Sequence, residues 1–154
     1  MKTIFLFAIV ITLLSPLQKA FAQTETKPIT AKLNHIAIYV TDLKQSTDFY
    51  HDLFNLEIGP EPFHDGKHTW FNLGNGVNLH VIQGRKTPQV FEKNEHLCFS
   101  VPSVENFVKI LNNKHIKFEN VAGAAGTITA RVDGVKQIYF QDPDGHWLEV
   151  NDAK

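Results

Sequence analysis

The sequence predicts an α+β fold in which one βαβββ unit is used twice in tandem. Three observations carry that reading. Shifted by 61 residues, the chain overlays on itself: His35-Ile36-Ala37-Ile38-Tyr39-Val40, followed by Leu43, lands on His96-Leu97-Cys98-Phe99-Ser100-Val101, followed by Val104. Shifted by 69, Trp70-Phe71 falls on Tyr139-Phe140, and Gly76-Val77-Asn78-Leu79-His80-Val81 falls on Gly145-His146-Trp147-Leu148-Glu149-Val150. Within each copy the apolar period changes from two to about 3.6 and back, the signature of strand, helix, then further strands.

The chain opens with Lys2, a short apolar run over residues 4–14, and Ala20-Phe21-Ala22, an A-x-A cleavage signal. Residues 1–22 are expected to be a removed signal peptide, with Gln23 as the new N-terminus. The run is too short to span a bilayer comfortably, and no Cys follows it to carry a lipid, so no stable membrane anchor is expected after cleavage. That leader places the protein in the periplasm or outside the cell. Residues 23–31 are polar and read as a flexible lead-in. Residues 32–152 form one domain of ordinary size.

The whole chain carries a formal charge of −1. Loss of Lys2 and Lys19 with the leader moves it to −3. That balance, without a basic cluster, argues against a nucleic-acid partner. Cys98 is the single cysteine, so no internal disulfide staples the domain.

In the first unit, strict alternation marks a strand over 35–40. Asp42 is a plausible helix cap, and Leu43, Tyr50, Leu53 and Phe54 form an apolar stripe on a helix over 43–54. Gly74-Asn75-Gly76 is a turn before the closing strand. In the second unit a strand over 96–101 is followed by the Ser103 cap and a helix over 104–113 with Val104, Phe107, Ile110 and Leu111 as its stripe. The difference between the two offsets marks an insertion, placed at 122–126. Asp142-Pro143-Asp144-Gly145 is the turn before the last strand.

Alternation also sorts faces. His35, His80, His96 and Glu149 each sit opposite the aliphatic face of their strand, at repeat-matched positions. Imidazole nitrogens and a carboxylate oxygen are the usual ligands of Zn²⁺, Ni²⁺, Fe²⁺ or Mn²⁺. If two sheets curve around a shared cavity, with the helices outside, the four converge on one divalent metal ion. His51, His64, His68, His115 and His146 lie off the repeat and read as surface residues, with His64 and His68 as a possible rim. Cys98 shares the face of His96, as a small buried hydrophobe or a pocket-lining thiol. Tyr39, Phe71, Tyr139 and Trp147 are candidate pocket walls, with plain core packing as the alternative.

Leu33-Asn34-His35-Ile36-Ala37-Ile38-Tyr39-Val40-Thr41-Asp42-Leu43, then Phe49-Tyr50 with Leu53, resembles the opening of vicinal oxygen chelate proteins. These include glyoxalase I, fosfomycin-resistance proteins, methylmalonyl-CoA epimerase and extradiol dioxygenases. Glu95-His96-Leu97 and the run from Phe140 through Asp142-Pro143-Asp144-Gly145 to Glu149 resemble their second-half motifs. The likeness implies paired modules forming an open, metal-containing barrel, a small-molecule substrate with two vicinal oxygens, and a homodimer. It puts the metal on His35, His80, His96 and Glu149. It also implies lyase or isomerase chemistry through a metal-stabilised enediolate, with Glu149 or His80 moving the proton. In bacterial glyoxalase I the slot of His80 usually holds Glu. Two other readings stay open. One is an extradiol-type dioxygenase on His35, His96 and Glu149, although Ala130, Arg131 and Val132 stand where its upstream His is expected. The other is a metal-free binder resembling bleomycin-resistance proteins.

Overall fold

The computed structural model describes residues 29–87 and 89–154. The leader and most of the lead-in lie outside the described residues. Ten elements follow in order: β1 His35–Val40, α1 Leu43–Phe54, β2 Glu57–Gly59, β3 His68–Asn72, β4 Asn78–Gln83, β5 His96–Ser100, α2 Val104–Asn113, β6 Thr129–Ala130, β7 Lys136–Gln141 and β8 Trp147–Asn151. They make two four-stranded sheets of the same design, β1-β4-β3-β2 and β5-β8-β7-β6. Each βαβββ unit is one sheet with its own helix, as the repeat predicts.

Local chemistry explains the boundaries. Asp42 accepts the Gln45 N–H at 2.9 Å, and Ser103 accepts the Asn106 N–H at 3.2 Å. Both helices therefore begin on a side-chain cap. Helix α1 ends at Asn55, whose φ of 53° is the left-handed conformation that Asn tolerates. The register preserves the repeat to the residue: β1 runs parallel to β4 with Ala37 opposite His80, and β5 runs parallel to β8 with Cys98 opposite Glu149.

The packing corrects one expectation. The helices do not lie outside two sheets that face a common cavity. Phe54 at the end of α1 stacks on Phe99 of β5 at 4.2 Å and on Phe107 of α2 at 5.6 Å. Ile38, Val40, Leu79 and Val81 of the first sheet and Ile138, Phe140, Leu148 and Val150 of the second join one apolar core with Tyr50, Phe107 and Leu111. The helix-bearing faces of both sheets thus meet inside, and the faces that carry the candidate ligands turn away from that core. Burial of so many large side chains is what holds the two modules together.

A polar staple reinforces the junction. The fully buried Tyr50 hydroxyl donates to Asp142 Oδ2 at 2.9 Å, and His146 Nδ1 lies 2.8 Å from the same oxygen. Asp142 Oδ1 accepts the N–H groups of Asp144 and His146. Ser46 and the Thr41 N–H reach Asp144. Burial, then Asp142, raises the Tyr50 phenol well above its ordinary range, so it remains a donor. His146 is accordingly not a surface residue: its side chain is only 11% exposed. Tyr50→Phe should destabilise the domain by about 1–3 kcal/mol, because a buried carboxylate oxygen loses a partner. An unchanged urea midpoint would show that water replaces the hydroxyl at no cost.

Candidate metal centre

The first sheet presents His35 and His80 as a pair. They sit on neighbouring parallel strands, offset by two residues, and their rings stack at 4.2 Å with 6° between planes. Trp70, directly opposite His80 on β3, stacks on its other face at 4.0 Å and 1°. Asn34 Oδ1 holds His35 Nδ1 at 2.8 Å, which leaves Nε2 for a ligand. An anchored second nitrogen is the usual setting of a metal-binding imidazole. Burial, then nearby His35 and His68, lowers the His80 pKa below its ordinary value and favours the neutral, metal-competent ring.

The second sheet presents His96 and Glu149. His96 Nε2 lies 3.2 Å from Glu149 Oε2, and His96 Nδ1 is 2.8 Å from the Lys93 carbonyl. Glu149 is 7% exposed, and both its oxygens are engaged. Tyr139 donates to Oε2 at 2.5 Å, and Asn151 donates to Oε1 at 2.9 Å. Gln137 in turn donates to the Tyr139 hydroxyl at 3.0 Å. Burial alone would raise the Glu149 pKa. The hydrogen bonds from Tyr139, Asn151 and Cys98, with His96 beside it, bring it below the usual carboxylate value. The same carboxylate reacts on its neighbours: desolvation and Glu149 push the Cys98 thiol up to about 12, and Tyr139 rises by the same two causes. An anionic carboxylate fixed by neutral donors suits a cation and is costly without one.

The four residues therefore form two pairs, one per sheet. Among the described residues, no group of three or more His, Cys, Asp or Glu side chains is gathered as a metal site. The chemistry of each pair fits half of a divalent-metal shell.

The aromatic candidates divide. Tyr139 and Trp147 line a cleft with His115, Phe118 and Gln141 that none of the four candidate ligands lines, and Trp147 Nε1 donates to the Phe91 carbonyl at 3.0 Å. Tyr39 shares the face of His35, is 47% exposed, and lies under the Arg85 guanidinium at 5.6 Å. Cys98 lies beside Glu149 and accepts an Asn151 N–H at 3.1 Å. Phe71 is a correction: it is fully buried, opposite Leu79, on the core face of β3. A one-residue step along a strand changes face, and the wall position belongs to Trp70.

Sequence reasoning passed over Asn151, Gln137 and Lys93. Asn151 and Gln137 were legible by alternation, two residues from Glu149 and Tyr139. Lys93 carries no such signal, being in a loop; its ammonium pairs with Glu119 and lies 5.1 Å from the Trp147 ring.

Comparison with known proteins agrees with this architecture. Residues 32–150 match the family model described as Glyoxalase/Bleomycin resistance protein/Dioxygenase superfamily. A metallothiol transferase FosB of Staphylococcus saprophyticus is 28% identical, over 77% of this chain and 75% of its own length. The mitochondrial methylmalonyl-CoA epimerase of Homo sapiens is 32% identical, over 56% of this chain and 55% of its own. Among solved structures, Oxidase ChaP-H2 superposes with a TM-score of 0.66 at 27% identity, covering 82% of this chain and 96% of that one.

Proposed function

The chain belongs to the Glyoxalase/Bleomycin resistance protein/Dioxygenase superfamily, and from that premise we propose that it is an exported, divalent-metal-dependent enzyme of glyoxalase type. In this reading it moves a proton between adjacent oxygen-bearing carbons of a small molecule. The observation that carries it is the state of Glu149: a buried carboxylate, fixed at both oxygens, with an oriented imidazole 3.2 Å away.

Two half-shells on faces turned away from a shared core call for a second copy. We infer that the working unit is a homodimer in which His35 and His80 of one chain meet His96 and Glu149 of the other. Closing the shell within one chain would mean pulling apart the core around Phe54, Phe99 and Phe107. A two-fold contact brings together two copies of each half without that cost.

When bound, the divalent ion supplies Lewis-acid stabilisation of the two vicinal oxygens. The residues divide the rest. Glu149 and His96 hold one side of the shell, with Asn151 and the Lys93 carbonyl fixing their angles. With His80 and Glu149 both in the proposed shell, either would accept and return the proton only when released from the ion.

Metal analysis of protein purified without chelators tests this reading. One divalent ion per chain supports it, and a metal-free wild type that still binds small molecules transfers the fold to the binder reading. The likeness to Oxidase ChaP-H2 favours a second chemistry, oxidation on His35, His96 and Glu149. Metal content of His80→Ala separates the two: near-full occupancy favours the oxidase-like set, and loss of metal favours four ligands. Export has its own check. N-terminal sequencing of the mature protein should begin at or near Gln23, and an intact Met1 on the accumulated protein would refute it.

A further inference from the structure

We propose that Lys93 is a positioning residue for His96, and that the loop over residues 119–126 serves the metal centre by caging the Lys93 ammonium. This rests on the reading of His96 as a ligand.

His35 and His96 are repeat-matched, yet they are held by different means. Asn34, the neighbour of His35 in sequence, holds its Nδ1 with a side chain. The residue at that place before His96 is Glu95, and His96 Nδ1 instead donates to the Lys93 carbonyl at 2.8 Å. A carbonyl only accepts, so this bond puts the proton on Nδ1 and leaves the Nε2 lone pair for an ion. The carbonyl belongs to a turn, closed by the Glu95 N–H on the Glu92 carbonyl at 2.9 Å. The aim of the His96 ring is therefore only as firm as that turn.

The Lys93 side chain supplies the firmness. Its ammonium pairs with the Glu119 carboxylate and lies 3.5 Å from the carbonyls of Asn120 and Val121. It also sits over the rings of Tyr139 and Trp147, at 5.7 and 5.1 Å. Lysine gives up much rotamer freedom when it is fixed, and several partners together offset that loss. The Lys93 side chain is 23% exposed and that of Glu119 27%, so water screens the pair less than at an open surface. Glu119 is itself bolted to β7: it exchanges both backbone hydrogen bonds with Tyr139, each at 2.8 Å. The Tyr139 hydroxyl donates to Glu149. One anchor thus reaches both ligands of the second sheet, His96 through the turn and Glu149 through Tyr139.

The cage also accounts for the extra length of the second unit, which the repeat offsets place at 122–126. That stretch turns the chain back over the lysine. Gly123 N–H donates to the Asn120 carbonyl at 3.0 Å, Asn120 N–H to the Ala124 carbonyl at 3.1 Å, and Ala124 N–H to the Asn120 side chain at 2.8 Å. Gly123, at φ 85°, passes so close that a Cβ there would lie 4.0 Å from Lys93 Nζ.

The test reads the His96 ring and metal affinity separately. In chelator-treated wild type, at a pH where the ring is neutral, long-range ¹H–¹⁵N NMR should show His96 as a single Nδ1–H tautomer. Lys93→Met keeps the stem and the backbone carbonyl and removes the charge. It should give mixed tautomers at His96, leave the His35 signals unchanged, and bind Zn²⁺ about tenfold more weakly. Glu119→Gln acts from the far side of the ion pair and should move the same signals in the same direction. A wild type that already shows both tautomers overturns the proposal. So does a Lys93→Met protein with a lower urea midpoint but wild-type His96 signals and Zn²⁺ affinity, which would make the cage a purely structural contact. If Lys93→Met does not fold, Glu119→Gln decides by the same signals. If wild type takes up no metal, the metal reading fails, while the His96 tautomer in metal-free protein still decides the positioning.

Discussion

Glu149→Gln should purify folded and lose divalent metal, with affinity down by roughly a hundredfold or more. The starting point for that magnitude is the 10–100-fold typically lost when a group supporting a ligand is removed; here the ligand itself is changed. Two effects add. The amide removes the one carboxylate in the proposed shell, so the ion keeps its full charge among three neutral imidazoles. It also breaks the local hydrogen-bond pattern. Glu149 accepts from Tyr139 at one oxygen and from Asn151 at the other. An amide can accept at only one of these, and its NH₂ group faces a donor at the other. Tyr139 can turn its hydroxyl only by disturbing the bond that it accepts from Gln137. Tyr139→Phe should cost less, about tenfold in metal affinity, because charge and ligand both remain. Dialysis against a competing chelator followed by elemental analysis measures both variants. A Glu149→Gln protein with wild-type metal affinity would remove Glu149 from the shell.

Much of the fold was open to sequence reasoning because local rules fixed it. Asp42 and Ser103 cap the helices at the expected residues, and alternation assigned His35, His80, His96 and Glu149 to the faces opposite the aliphatic rows. The repeat offsets anticipated the register, in which each second-strand ligand pairs two residues beyond the first. What alternation cannot say is how two finished sheets face each other. Each sheet has one aliphatic face and one mixed face, and either could in principle have turned inward. Phe54 decides it: one ring at the end of α1, in contact with β5, α2 and β7 of the other module, brings the helix faces together. His146 looked like a solvated turn residue because its partner, Asp142, is itself buried by α1, which only the tertiary packing reveals. Of the two readings open for Phe71, pocket wall and plain core packing, the structure shows core packing, and Trp70 next to it carries the polar-face role.

The central claim is that each metal centre is built from two chains, and mixing two broken chains tests it most directly. One chain carries His35→Ala with His80→Ala, the other His96→Ala with Glu149→Gln. Each alone should be a folded dimer that retains no metal, since every centre lacks one half. In a dimer of the two, one centre combines both intact halves and the other combines both broken ones. Random pairing of equal amounts makes half of the dimers mixed, so metal content should return to about a quarter of wild type. Isolated mixed dimers, separated by distinct tags, should hold one ion per dimer. Mixed dimers that form and remain metal-free would contradict the account, as would a wild-type monomer that holds a full complement of metal on its own.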